Sequence, residues 1–71
     1  MYRFLVVIEK AALNFSAYSP DLPGCVATGK TRDEAETNMY EAISFHLQGL
    51  REDNLAIPES VSYAEVMAIA A

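Results

Sequence analysis

The chain has 71 residues, 52% hydrophobic and 21% charged, with a formal net charge of −5; this is a globular composition at a length that accommodates one domain, residues 1–71. A single cysteine and a single histidine exclude an intrachain disulfide and a Cys/His zinc cluster. The five basic residues, Arg3, Lys10, Lys30, Arg32 and Arg51, form no stripe and argue against direct nucleic-acid binding, because a duplex is held by clustered Lys and Arg.

Residues 2–9 read Tyr-Arg-Phe-Leu-Val-Val-Ile-Glu, a run of aromatic and β-branched residues that predicts a strand. Tyr2, Phe4, Val6 and Ile8 share one face, and Arg3, Leu5, Val7 and Glu9 the other. Apolar residues on both faces are expected of a strand that is central or covered by another subunit. The apolar run 4–8 is too short for a secretory signal or a membrane span, and together with the free cysteine it points to a cytoplasmic protein. After a short connection, residues 14–18 predict a second strand, with Phe15 and Ala17 on one face and Ser16 and Tyr18 on the other, forming a hairpin with the first. Ser19-Pro-Asp-Leu-Pro-Gly24 is the strongest loop signal: two prolines cannot donate to a ladder, and Gly24 can take a positive φ. Residues 25–28 predict a short third strand, closed by Gly29.

Thr31-Arg-Asp-Glu34 is a capping box, in which Thr31 accepts from the Glu34 amide and Glu34 reaches back to the Thr31 amide. Asp33 and Glu34 suit the positive end of the helix dipole. The helix is expected over 32–52, with Ala35, Met39, Ala42, Ile43, His46 and Leu50 on one apolar stripe and Leu47 at its edge. Gly49 weakens the last turn by about 1 kcal/mol relative to alanine and invites fraying. Residues 53–60 form a polar loop with Ile57 turned inward. The alanine-rich end could suit a helix, but the preceding proline loop and the need for another sheet edge favour a last strand over 61–67. The sum is an α+β domain with two layers, β-β-β-α-β, an antiparallel sheet carrying one long helix on one face.

No reactive centre assembles from these residues. His46 lies on the apolar helical stripe with no second histidine, and reads as a core or interface imidazole rather than a base or metal ligand. Cys25 follows Pro23-Gly24 at a strand start, without the histidine or helix N-terminus that activates a thiol. Glu9, Asp21 and Glu65 are too scattered for a two-metal nuclease site. Gly24 and Gly29-Lys30-Thr31 have the spacing of a phosphate loop, yet the residues between them read as a strand rather than a flexible cradle. We therefore expect no catalytic residues, no cofactor and no metal. A domain this small buries only about 60% of its unfolded surface, so a homo-oligomer, dimer or tetramer, is expected to supplement the core.

Tyr18-Ser-Pro-Asp-Leu-Pro-Gly-Cys25, continued by Gly29-Lys-Thr-Arg-Asp-Glu-Ala35, strongly resembles the HicB-like antitoxin family. The family pattern has a Tyr-x-Phe-x-Val-x-Ile-Glu strand, matched at 2–9, a Phe-x-Ala-x-x-Pro-Asp-Leu-Pro-Gly-Cys segment, matched at 15–25, and a Gly-x-Thr-x-x-Glu-Ala helix start, matched at 29–35. His46-Leu-Gln-Gly-Leu50 and Ile57-Pro-Glu59 also look like the family. The resemblance implies a partial ribonuclease-H-like fold without nuclease function, oligomerisation, and binding to a HicA-type toxin, a small basic mRNA-cleaving ribonuclease with a double-stranded-RNA-binding-like fold. The acidic charge suits such a partner. Contact is expected on Tyr18, Asp21, Leu22, Pro23, Cys25 and nearby acids. Many complete members carry a DNA-binding domain after this one; no such domain is expected in this sequence, and operator binding is not carried over. The alternatives are an orphan self-assembling regulatory module without a toxin and, from fold analogy alone, a metal-dependent nuclease.

Overall fold

A computed structural model describes all 71 residues. Strand β1 (Val7–Lys10), β2 (Phe15–Tyr18) and β3 (Val26–Gly29) are followed by helix α1 (Arg32–Glu52). The strands form one antiparallel sheet in the order β1-β2-β3. Val7 faces Tyr18 and Ile8 faces Ala17 across the first pair; Ala17 faces Ala27 and Tyr18 faces Val26 across the second. Side chains alternate across a sheet, so Ile8, Ala17 and Ala27 line the face under the helix, and Val7, Tyr18 and Val26 line the other. The first hairpin is closed by the Ala11 amide donating to the Asn14 carbonyl at 2.8 Å.

The N-terminal strand is shorter than expected. Four residues of β2 pair with four of β1, and Phe4, Leu5 and Val6 continue past the ladder as unpaired chain. Phe4, Val6 and Ile8 nonetheless pack together on the core of Ala17, Leu22, Cys25 and Met39, with Ala42 and Ile43 from the helix. The alternation over residues 4–8 thus survives where the hydrogen bonding stops, while Tyr2 is exposed.

The helix has the expected span, 32–52. Thr31 is its N-cap, accepting from the Glu34 amide at 3.1 Å. The return half of the box differs: the Glu34 carboxylate takes the Lys30 amide at 3.0 Å, one residue before Thr31. The helix continues through Gly49 to Glu52. Asn54 sits in the left-handed region at φ 55°, its amide donates to the Arg51 carbonyl, and the Leu55 amide donates to Leu50, which is the paired closure of a Schellman motif. Asn54 substitutes for the glycine that usually holds this position because a short polar side chain tolerates the left-handed region.

Helix and sheet meet closely at one place. Ala35 is fully buried on Gly29, and a Cβ on Gly29 would lie 2.8 Å from the Ala35 Cα. Only a residue without a side chain lets the first helical turn rest on the end of β3 after a connection as short as Lys30-Thr31. The helix packs most on β3, less on β2 and least on β1.

The last element departs from expectation. Residues 55–71 contain no helix or strand, so the β-strand expected at 61–67 is not part of the chain's own sheet. Leu55, Val61, Tyr63, Val66, Met67 and Ile69 are exposed, whereas Ile57 is half-buried, in line with the sequence reading. The radius of gyration is 14.0 Å, against about 11 Å for a compact chain of this length, and the molecule measures 49 × 27 × 19 Å. An apolar alternating segment becomes a strand only where a sheet edge receives it, and this segment leads away from its own.

Candidate functional site

The segment joining β2 to β3 is built from two consecutive turns. The Leu22 amide donates to the Ser19 carbonyl at 3.2 Å, and the Cys25 amide donates to the Leu22 carbonyl at 3.1 Å. Pro20 and Pro23 each take the second position of a turn, where a fixed φ near −65° is favourable. Gly24 follows at φ 82°, the geometry of a type II turn that requires glycine at its third position. The Ser19 hydroxyl additionally accepts from the Asp21 amide at 3.2 Å. Local turn chemistry therefore specifies the loop almost completely.

Tertiary structure decides which way its side chains point. Leu22 is 1% exposed and forms the centre of the core. Asp21 is 8% exposed and its carboxylate gathers donors from two distant segments: the Leu5 amide at 3.1 Å and the Ser60 hydroxyl at 2.7 Å reach Oδ2, and the Val61 amide reaches Oδ1 at 3.1 Å. The Ser60 hydroxyl, then the Leu5 amide, with help from Val61 and Ser62, lower the Asp21 pKa to about 2 from 3.8, against the opposing effect of burial. Asp21 is thus a clasp joining the segment before β1, the β2–β3 loop and the root of the C-terminal arm. Cys25 is buried, and desolvation raises its thiol above the ordinary range, away from the thiolate a nucleophile needs.

Of the five residues singled out in the sequence, Tyr18 (40% exposed) and Pro23 face solvent; Asp21, Leu22 and Cys25 face inward and hold the loop in shape. Sequence reasoning missed Val26, which lies beside Tyr18 on the outer face of the sheet and is 65% exposed. The alternation of β3 carried that signal, since Val26 and Thr28 must oppose Ala27. Tyr18 and Val26 make an apolar ridge on a face the helix does not cover, and Pro23 is exposed in the loop that joins their two strands. Around the corner, Gly24, Cys25 and Val26 border an open groove of about 430 Å³ whose other wall is Ala42, Phe45, His46 and Leu50.

The other sequence candidates do not converge. No group of three or more His, Cys, Asp or Glu side chains could hold a metal ion; Glu9 is exposed on β1 and Glu65 is exposed in the C-terminal segment, and Asp21 is occupied by its donors. The glycine spacing that mimics a phosphate loop spans β3 itself, and the Lys30 and Glu34 amides are already taken by Glu34 and Thr31. No helix is long and apolar enough to cross a membrane.

The profile of the HicB-like antitoxin of bacterial toxin-antitoxin systems matches residues 4–70, nearly the whole chain and all of the loop just described. The chain belongs to the HicB-like antitoxin family. Among curated relatives, an uncharacterized 14.9 kDa protein from the rep-hol intergenic region of Haemophilus phage HP1 is 44% identical over 55 residues, 78% of this chain and 41% of the phage protein. A UPF0150 protein of Helicobacter pylori is 46% identical over 50 residues, covering 70% of this chain and 69% of that one. This HicB-like chain therefore spans less than half of the phage relative. In three dimensions it resembles a chain of the HicA3 and HicB3 toxin-antitoxin complex, with a TM-score of 0.62 and 28% identity over 76% of this chain and 66% of that chain. The three antiparallel strands and single long helix are thus the HicB antitoxin arrangement.

Proposed function

We propose that this HicB-like protein binds a HicA-type toxin, a small basic ribonuclease, and blocks its active site and RNA surface by occlusion, with no bond chemistry of its own. The observation that carries the proposal is the structural match to a chain of a HicA–HicB complex, joined to family membership over residues 4–70. The net charge of −5 favours encounter with a basic partner and accelerates it at low salt. The contact surface is the ridge of Tyr18 and Val26 together with Pro23 of the loop, with Asp21, Leu22 and Cys25 shaping it from beneath. Aromatic side chains on a preformed, turn-locked loop supply contact area at little ordering cost. The protein acts as a cytoplasmic homo-oligomer.

Calorimetric titration with a purified HicA-type toxin tests the proposal. Tight, salt-weakened binding is expected, and Tyr18→Ala combined with Val26→Ala should weaken it by about tenfold or more, the loss of one hot spot. Both residues are exposed, so the double variant keeps its fold and its circular dichroism spectrum. Unchanged affinity in that variant removes the ridge as the contact; no binding and no inhibition of RNA cleavage by the wild-type chain removes the antitoxin reading itself.

A further inference from the structure

The sheet ends at β1 with an edge that the chain's own residues leave open. At the opposite edge the Asn38 side chain bonds the Thr28 carbonyl of β3 at 2.8 Å. Around β1, side-chain hydrogen bonds reach only Leu5, before the strand begins. Beside the open edge lies an apolar groove of about 700 Å³, walled by Phe4, Val6 and Ile8 on one side and Met39, Ile43 and Leu47 on the other. It exists because the helix is displaced toward β3.

The same molecule carries a segment that fits there. Beyond the clasp at Asp21, which fixes Ser60 and Val61, the arm leads into solvent with Val66 100% exposed. Ala64, Val66, Ala68 and Ala70 form an uninterrupted apolar face; Glu65, Met67 and Ile69 form the other. Residues 62–70 extended span about 30 Å, enough to cover the roughly 23 Å from Phe4 to Lys10. Exposed apolar segments and open strand edges on one chain are complementary, and pairing them between two copies satisfies both.

We propose that two copies of this chain exchange C-terminal arms, residues 62–70 of each adding a strand to the β1 edge of the other. The Ala64–Val66–Ala68–Ala70 face covers the partner's groove, because the opposite face would bury Glu65. Met67 and Ile69 then extend the partner's outer face beside Leu5 and Val7. The clasp at Asp21 aims each arm outward by fixing its root. The fourth strand of the sheet is in this way supplied in trans, which makes the self-association part of the functional reading specific without depending on any toxin.

Sedimentation equilibrium of the full chain alone should give twice the 7.8 kDa chain mass. Val66→Pro removes a ladder donor at a residue with no contacts in the single chain, and should weaken dimerisation by about tenfold or more with an unchanged circular dichroism spectrum. In a dimer mixed from differently labelled chains, isotope-filtered NMR should show Val66 methyl contacts to Val6 and Ile8 of the other chain. A chain that stays monomeric at millimolar concentration, a Val66→Pro dimer as stable as wild type, or Val66 contacts confined to a single chain would each overturn the exchange. None of these results bears on toxin binding, which is measured separately.

Discussion

The three glycines of this domain provide a test in which one substitution, to alanine, has three different outcomes. At Gly29 a Cβ would overlap the Ala35 amide and lie 2.8 Å from both the Ala35 Cα and the Glu34 carbonyl carbon. These are backbone atoms of a capped helical turn, so nothing flexible can yield, and the helix start must lift from β3. Overpacking of this kind costs about 3 kcal/mol, a large share of the roughly 4–10 kcal/mol available to a domain of this size. At about 4–8 °C per kcal/mol, Tm should fall by about 12–24 °C. At Gly24 nothing lies within 4 Å, but φ is +82°, and alanine there should lose about 1–2 kcal/mol to the left-handed backbone alone. At Gly49 there is also nothing within 4 Å, and φ is helical. Alanine should stabilise the helix by about 1 kcal/mol and raise Tm by about 4–8 °C. Thermal melts of the three variants at one fixed protein concentration, which holds any concentration dependence of Tm constant, read the order directly. A Gly29→Ala protein melting within about 2 °C of wild type, equivalent to under 0.5 kcal/mol, would show that the helix does not bear on β3 as described.

Leu22→Ala should cost about 2–5 kcal/mol in urea denaturation, because a 1% exposed side chain at the core centre leaves a cavity; a loss under about 1 kcal/mol would mean the loop lifts off the core in solution. Asp21 has a folded pKa depressed to about 2 from 3.8, so its stabilising contribution is complete above about pH 4 and disappears as pH falls through 2. Asp21→Asn should lower Tm at neutral pH, since an amide presents one acceptor to three donors, and should flatten the acid limb of the Tm–pH profile; parallel profiles for variant and wild type between pH 5 and 2 would remove the clasp. Burial and a raised pKa should make Cys25 react with a thiol-alkylating reagent far more slowly at pH 8 in the native protein than after unfolding, and equal rates would contradict its place in the core.

Much of this architecture was readable from neighbours in the chain. The Thr31–Glu34 box places the helix start, the apolar stripe from Ala35 to Leu50 orients the helix, and the Pro-Gly turns delimit the loop, because each depends on residues no more than four positions apart. Alternation in residues 4–8 likewise predicted which side chains reach the core, whereas Tyr2, on the same face by sequence, is exposed. The loop's role was less legible. Asp21 and Leu22 look like a surface tip, since proline-rich loops usually are, and the donors that draw Asp21 inward come from Leu5 and from Ser60 and Val61, 16 and 39–40 residues away. Val26 beside Tyr18 was recoverable from strand alternation once the register was known.

The amino-acid order alone determined the family, the helix and its caps, the turns, and which face of each element is apolar, since those follow from local backbone and side-chain preferences. Only the folded chain decided that Gly29 must carry no side chain, that Asp21 ties three segments together, and that the apolar C-terminal arm leaves the β1 edge of its own sheet unpaired. Such features depend on distances between residues remote in the sequence, and a strand in particular is a relation between two segments rather than a property of either.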